Sequence, residues 1–144
     1  MRIERITHID KSIVDAFEKL MPELTGRDEY PSYEELKKVI ESDNVHLCLA
    51  FDDEEKVIGT ITVVLVRIPT GIKALIEDVI VDNDARGKGV GTAMITHAIQ
   101  IAREKGVVKI DLTSNPRRIA ANKMYQKLGF EKRESNVYRY YADK

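Results

Sequence analysis

Residues 76–92 read Ile76-Glu77-Asp78-Val79-Ile80-Val81-Asp82-Asn83-Asp84-Ala85-Arg86-Gly87-Lys88-Gly89-Val90-Gly91-Thr92. A β-branched run gives way to a short acidic link, then to closely spaced glycines beside two bases. Such glycines let the backbone turn tightly and bring several N–H groups close to a ligand. A helical pattern follows at once. Val90, Gly91, Met94, Ile95, Ala98, Ile99, Ile101 and Ala102 lie on one half of a helical wheel, with Thr92, Thr96, Gln100, Arg103 and Glu104 on the other. Unfilled N–H groups at the start of that helix, with the positive end of its dipole, suit an anion such as phosphate. Arg86 and Lys88 add formal charge there. A bare strand-to-helix turn would require the glycines but not the bases. Two common phosphate loops do not fit. A Walker loop ending at Gly87-Lys88 needs glycine where Asp82 stands, and the dinucleotide fingerprint needs glycine where Thr92 stands. The fingerprint should also follow the first strand of its domain, whereas several strands precede this loop.

Working outward, residues 3–6 read as a short strand and residues 11–21 as a helix with Ile13, Val14, Phe17, Leu20 and Met21 on one stripe. Pro22 and the stretch Thr25 to Pro31 break that pattern. Ser32 with Glu35 is a capping-box signal, and Leu36, Val39 and Ile40 supply the face of a second helix. The period then changes to two. Val45, Leu47, Leu49 and Phe51 alternate with His46, Cys48 and Ala50, which predicts a strand with one buried face. A charged turn at 52–56, a β-branched strand from Val57 to Ile68, a turn at 69–71 and a strand from Ile72 to Val81 continue an antiparallel run. After the long helix come a strand at Val107 to Leu112, a helix from about Pro116 to Leu128, and a last strand or pair near Phe130 to Tyr141. The fold class is α+β: one domain over 1–144, with a mixed, mostly antiparallel sheet.

Composition narrows the function. The chain of 144 residues carries 23 Lys+Arg against 24 Asp+Glu, so charge offers no case for nucleic acid or an anionic membrane. Its lone cysteine, Cys48, excludes an internal disulfide and any multi-cysteine metal site, and favours a reducing compartment. His8, His46 and His97 lack ligand-like spacing, so no metal is expected. The longest apolar run, Ile61 to Val66, is a strand by length rather than a membrane span. The residues after Met1 lack the apolar core of a secretory signal, and a cytoplasmic location is expected.

The strand 76–81, the acidic link and Arg86-x-x-Gly89-x-Gly91 resemble the acetyl-CoA loop of the GNAT N-acetyltransferases. A second block, Asn115-Pro116-Arg117-Arg118-Ile119-Ala120-Ala121-Asn122-Lys123-Met124-Tyr125-Gln126-Lys127-Leu128-Gly129-Phe130, is similar to that family's later helix. The resemblance implies a sheet with a central splayed strand pair, about four helices, and acetyl-CoA as cosubstrate. It implies that main-chain groups of Val79, Ile80 and Val81 hold the pantetheine arm, and that the diphosphate sits on N–H groups of Arg86, Gly87, Lys88, Gly89, Val90, Gly91 and Thr92. By the same resemblance Asn115 and Asn122 contact the cofactor, and the Tyr125 hydroxyl sits beside its sulfur.

The residues themselves are compatible with those roles. In the second block Ala120, Ala121, Met124 and Leu128 form a narrow apolar stripe, flanked by Arg118, Asn122 and Tyr125 at spacings that face one neighbour. Asn115 with Pro116 suits a helix start and Gly129 a helix end. A phenol of pKa near 10 can protonate a departing thiolate of pKa about 8.5; the bland alternative is a half-buried helix tyrosine. An alkylammonium must also lose a proton before it attacks, and Glu77, expected on the same strand face as Val79 with Asp78 opposite, is the candidate base. A salt bridge would equally explain a mid-strand carboxylate. The Val79 N–H is the candidate donor to the thioester oxygen. Cys48 reads as a core residue. Arg117-Arg118 suit either the cofactor's 3′-phosphate or a solvated helix start.

The acceptor expected is a small-molecule primary amine, bounded in the family by the segment between the first two helices, where Glu29 and Tyr30 stand. A protein N-terminus or lysine, a non-catalytic acyl-CoA sensor and a nucleotide-binding protein are the other readings. Tyr138, Tyr140 and Tyr141, partly alternating, suggest a final strand whose exposed edge would support a homodimer.

Overall fold

A computed structural model describes residues 1–143. Its five-stranded sheet runs in chain order, β1 (Arg2–Arg5), β2 (Val45–Phe51), β3 (Val57–Ile68), β4 (Gly71–Val81) and β5 (Lys109–Asp111). The first four are antiparallel neighbours and β5 joins β4 in parallel, reached through a helical crossover. The helices are α1 (Lys11–Thr25), α2 (Tyr33–Glu41), α3 (Val90–Glu104) and α4 (Ile119–Lys127), with a short 3-10 turn at Asn83–Ala85. The chain forms two compact units, Met1–Thr113 with the whole sheet, and a second from Ser114 onward that holds α4.

β2 is buried along both faces, which corrects the expectation of one buried face. Ile13 and Phe17 of α1 and Leu36 of α2 pack with Leu47 and Leu49 on one side. Alternation turns His46, Cys48 and Ala50 to the other side, where His97 and Lys105 lie near His46. A strand covered on both sides reads as a continuous apolar run, and β2 comes close to that. α3 buries Val90, Met94, Ile95, Ala98 and Ala102, within the stripe expected.

α1 continues through Pro22 to Thr25, beyond the expected end at Met21. Pro22 removes one helical bond and crowds the carbonyl four residues before it, yet the helix continues and closes at Gly26, whose left-handed φ of 71° lets its N–H reach the Pro22 carbonyl at 2.8 Å. The capping box of α2 forms as read, with Ser32 Oγ accepting from Glu35 N–H and Glu35 Oε1 from Ser32 N–H, both at 3.1 Å. No strand forms between Phe130 and Tyr141; Val137, Tyr138 and Tyr140 are exposed on irregular backbone, so the edge invoked for a homodimer is absent among the described residues.

His46 gives the fold a pH dependence. Burial lowers its pKa from 6.5, and Arg5, Lys105 and His97 push the same way. The folded state therefore binds fewer protons than the unfolded chain below 6.5, so stability is complete above that pH and declines as pH falls. One such group supports a slope of at most about 1.4 kcal/mol per pH unit. Melting curves between pH 7.5 and 5 should show the decline, and His46→Gln should flatten it. An unchanged slope in the variant would clear His46 of the effect.

Candidate functional site

β4 is irregular where the sequence placed its chemistry. Thr62 pairs with Glu77 and Thr60 with Ile80, so two steps along β3 match three along β4. The extra residue is accommodated by a β-bulge with Asp78 at φ 48°, a left-handed conformation that aspartate tolerates better than most residues. The bulge breaks the period of two. Glu77 and Asp78 are both exposed, while Val79 and Ile80 are buried in succession. The expected opposition of Glu77 and Asp78, and the shared face of Glu77 and Val79 argued from alternation, are corrected by this extra residue. No cation pairs with Glu77 among the described residues, so the salt-bridge explanation has no support.

A bulge also sharpens the local twist, and here β4 parts from its parallel neighbour. β5 pairs with β4 only over Lys73–Leu75. From Ile76 to Val81 one edge of β4 remains on β3, and no strand covers the other among the described residues. This is the splayed pair expected, with the main chain of Val79, Ile80 and Val81 at the free edge.

The edge runs directly into the glycine loop. Asp82 accepts the Asp84 N–H at 3.0 Å, which shapes the 3-10 turn, and Arg86 leaves it extended. Gly87 and Gly89 take φ of 77° and 80°, a region where a β-carbon costs about 1–2 kcal/mol. Gly89 is the N-cap of α3 and offers no side chain to the orphan amides of the first turn. The N–H groups from Gly87 to Thr92 have no acceptor among the described residues. Arg86 and Lys88 are exposed and enter no ion pair there. The result is a row of free donors at a helix start beside two cations, an arrangement suited to an anion.

The acidic segment after α1 is open. Glu29 is exposed and 3.9 Å from Arg27. Tyr30 is exposed, and the neighbouring Glu18 carboxylate raises the pKa of its phenol.

In the second unit the helix begins later than expected. Asn115 and Pro116 precede a turn in which Asn115 Oδ1 accepts from Arg117 N–H at 2.9 Å, and Arg118 is the N-cap. Asn115 thus caps its own turn, not α4. Its carbonyl accepts from Asn122 Nδ2 at 3.0 Å, which brings the two expected cofactor asparagines together. The buried centre of α4 is Tyr125, only 6% exposed, while Ala120 is exposed, so the expected alanine-led stripe is rotated toward the tyrosine. The Tyr125 ring meets Phe130 edge-on at 6.0 Å, and burial raises its pKa against a smaller opposing pull from Arg118. A phenol with a raised pKa stays protonated near neutrality and serves as a donor.

Two residues of α1 shape the loop: Lys19, which sequence reasoning passed over and whose Nζ lies 2.8 Å from Asp82 Oδ2, and Glu23, read from sequence only as acidic charge for an amine but whose Oε1 accepts the Asn83 N–H at 3.1 Å. Their spacing on α1 was the available signal, but their partners lie some 60 residues away. Burial pushes the Cys48 thiol up to about 11, which leaves it unfit as a nucleophile. Among the described residues no His, Cys, Asp and Glu group is arranged for a metal, and no helix is long and apolar enough to cross a membrane.

Comparison with known proteins agrees with this geometry. N-acetyltransferase 8B of Homo sapiens is 31% identical over 93 residues, covering 63% of this chain and 41% of that protein. Glucosamine 6-phosphate N-acetyltransferase of Trypanosoma brucei brucei is 40% identical over 62 residues, covering 43% of this chain and 40% of that protein. The chain therefore matches about two-fifths of the length of these curated relatives. A solved aminoglycoside acetyltransferase from an uncultured soil metagenomic sample superposes with a TM-score of 0.84 at 23% identity, over 98% of this chain and 95% of that one, and shows the same fold. The acetyltransferase (GNAT) family profile matches residues 11–130, taking in the free edge of β4, the glycine loop and α4, and the chain belongs to that family.

Proposed function

We propose that this chain transfers the acetyl group of acetyl-CoA directly to a primary amine of a small molecule. The observation that carries the reading is the row of unpartnered N–H groups from Gly87 to Thr92 at the end of an unpaired β-edge. The diphosphate would take the loop amides, with Arg86 and Lys88 beside them, and the pantetheine amides would take the main chain of Val79 to Val81. Acetyl-CoA supplies an activated thioester. The chain's own part is to accept one proton and give another. As the C–N bond forms and the C–S bond breaks, the amine's proton leaves to Glu77 or to water it holds, and the thiolate takes a proton from Tyr125. The Val79 N–H is the donor to the carbonyl oxygen. Glu29, with Tyr30 beside it, offers negative charge to a cationic amine, and the glucosamine 6-phosphate enzyme among the relatives favours a small acceptor.

Thermal stabilisation by ligands and acetyl-CoA turnover test the reading together. Coenzyme A and acetyl-CoA should raise the melting temperature in proportion to ln(1+[L]/Kd), while ATP and NAD should do so far less. Turnover should appear with some member of a panel of amino sugars, aminoglycosides, polyamines and short peptides. Gly89→Ala, forced into a left-handed φ, should weaken coenzyme A by about tenfold, the equivalent of about 1.4 kcal/mol. Equal stabilisation by ATP would remove the acetyl-CoA assignment, and binding without any turnover would make the domain an acyl-CoA sensor.

A further inference from the structure

We propose that Lys19 and Glu23 of α1, with Asp82, are positioning residues that clamp the turn before the glycine loop and so set its affinity for coenzyme A. The inference rests on the diphosphate reading of that loop. Lys19 and Glu23 stand one helical turn apart and both reach residues 82–83. Lys19 Nζ contacts Asp82 Oδ2 at 2.8 Å, a Coulombic contact rather than an aligned hydrogen bond, while Asp82 Oδ1 accepts from Asp84 N–H at 3.0 Å. Glu23 Oε1 accepts from Asn83 N–H at 3.1 Å. Asp82 N–H in turn donates to the Ile58 carbonyl at 2.9 Å, which ties the turn to β3. Each residue from Asp82 to Asp84 is thereby held by a polar contact.

Packing leaves one side of the turn open. A cavity of about 210 Å³ opens beside the turn, walled by Lys56, Ile58, Asp84, Ala85 and Lys88 among others, so the loop has room to move on that side. The clamp is also costly in itself. The Asp82 carboxylate is almost wholly buried, and Glu23 Oε2 is buried with no hydrogen-bond partner. An unpaired buried oxygen weakens the fold, and here that cost accompanies the bond that holds Asn83. Burial pushes the Asp82 pKa up, but the Lys19 ammonium, the Asp84 N–H and Lys56 outweigh it and hold the group ionised. Removing Lys19 would leave that charge buried without its counter-ion. α1 also leads directly into the segment of Glu29 and Tyr30, so one helix serves both the cofactor loop and the acceptor side.

The test is Lys19→Met, with Lys19→Arg as rescue and melting curves as the control for folding, since methionine leaves the buried Asp82 charge without its partner. Amide hydrogen exchange of Asn83 and Asp84 is read in the ligand-free protein, and coenzyme A affinity by calorimetry. Lys19→Met should speed exchange at both amides and raise the Kd for coenzyme A roughly tenfold, within the range of residues that act without touching a ligand. The KM for acetyl-CoA should rise with it while kcat holds, and arginine should restore all three. Wild-type exchange or a wild-type Kd in Lys19→Met overturns the inference. If the unaltered protein binds no coenzyme A, the diphosphate reading fails instead, and unaltered exchange in Lys19→Met would still remove the clamp by itself.

Discussion

Tyr125→Phe is expected to lower kcat for acetyl transfer by about a hundredfold, the low end of what a positioned general acid contributes. The KM for acetyl-CoA and the melting temperature should stay close to those of the unaltered protein. The separation follows from the surroundings of the ring. Tyr125 is the buried residue of α4 and meets Phe130 edge-on, and a phenylalanine fills the same space and keeps that contact. Only the hydroxyl is lost. Burial raises the pKa of that hydroxyl, so it remains a donor throughout the neutral range, and a thiolate of pKa about 8.5 can draw a proton from it as the C–S bond breaks. The measurement is steady-state turnover over the amine panel, with melting curves as a control for folding. Wild-type kcat in the variant would return Tyr125 to an ordinary buried helix residue.

Gly59→Ala is expected to cost about 1–3 kcal/mol of stability, the usual penalty for overfilling a packed core. Gly59 lies on β3 opposite Val81. A β-carbon there would meet the Ile80 carbonyl oxygen and Met94 Sδ, both at 3.0 Å. The methionine can swing aside, but the carbonyl belongs to β4 and can yield only if that strand shifts. Because Ile80 sits on the free edge proposed for the pantetheine arm, coenzyme A affinity should fall with stability. Chemical denaturation and calorimetry on the same samples check both. A variant with the wild-type denaturation midpoint would show that β4 and α3 have slack which the close contacts deny.

Much of this was open to inspection in the chain itself. The glycine loop was legible because Gly87, Gly89 and two neighbouring bases are local facts, and local backbone freedom follows from local residues. The capping box at Ser32 and Glu35 was legible for the same reason. Features that depend on distant partners were not. The bulge at Asp78 arises from the pairing of β3 with β4, and neither strand announces an extra residue alone. Burial of both faces of β2 needs α1, α2 and α3 in place, and so does the lowering of the His46 pKa by that burial. The continuation of α1 past Pro22 was hidden because proline marks a break in most contexts, while here the helix runs on to Thr25.

The amino-acid order alone settled that this is an α+β chain with a glycine-rich, basic helix start, since period, glycine spacing and charge act over a few residues. Folding decided where β4 leaves β5, and it brought Lys19, Glu23 and Asp82 together across some 60 residues. Strand register and long-range ion pairs are properties of two segments at once, so no single stretch can carry them.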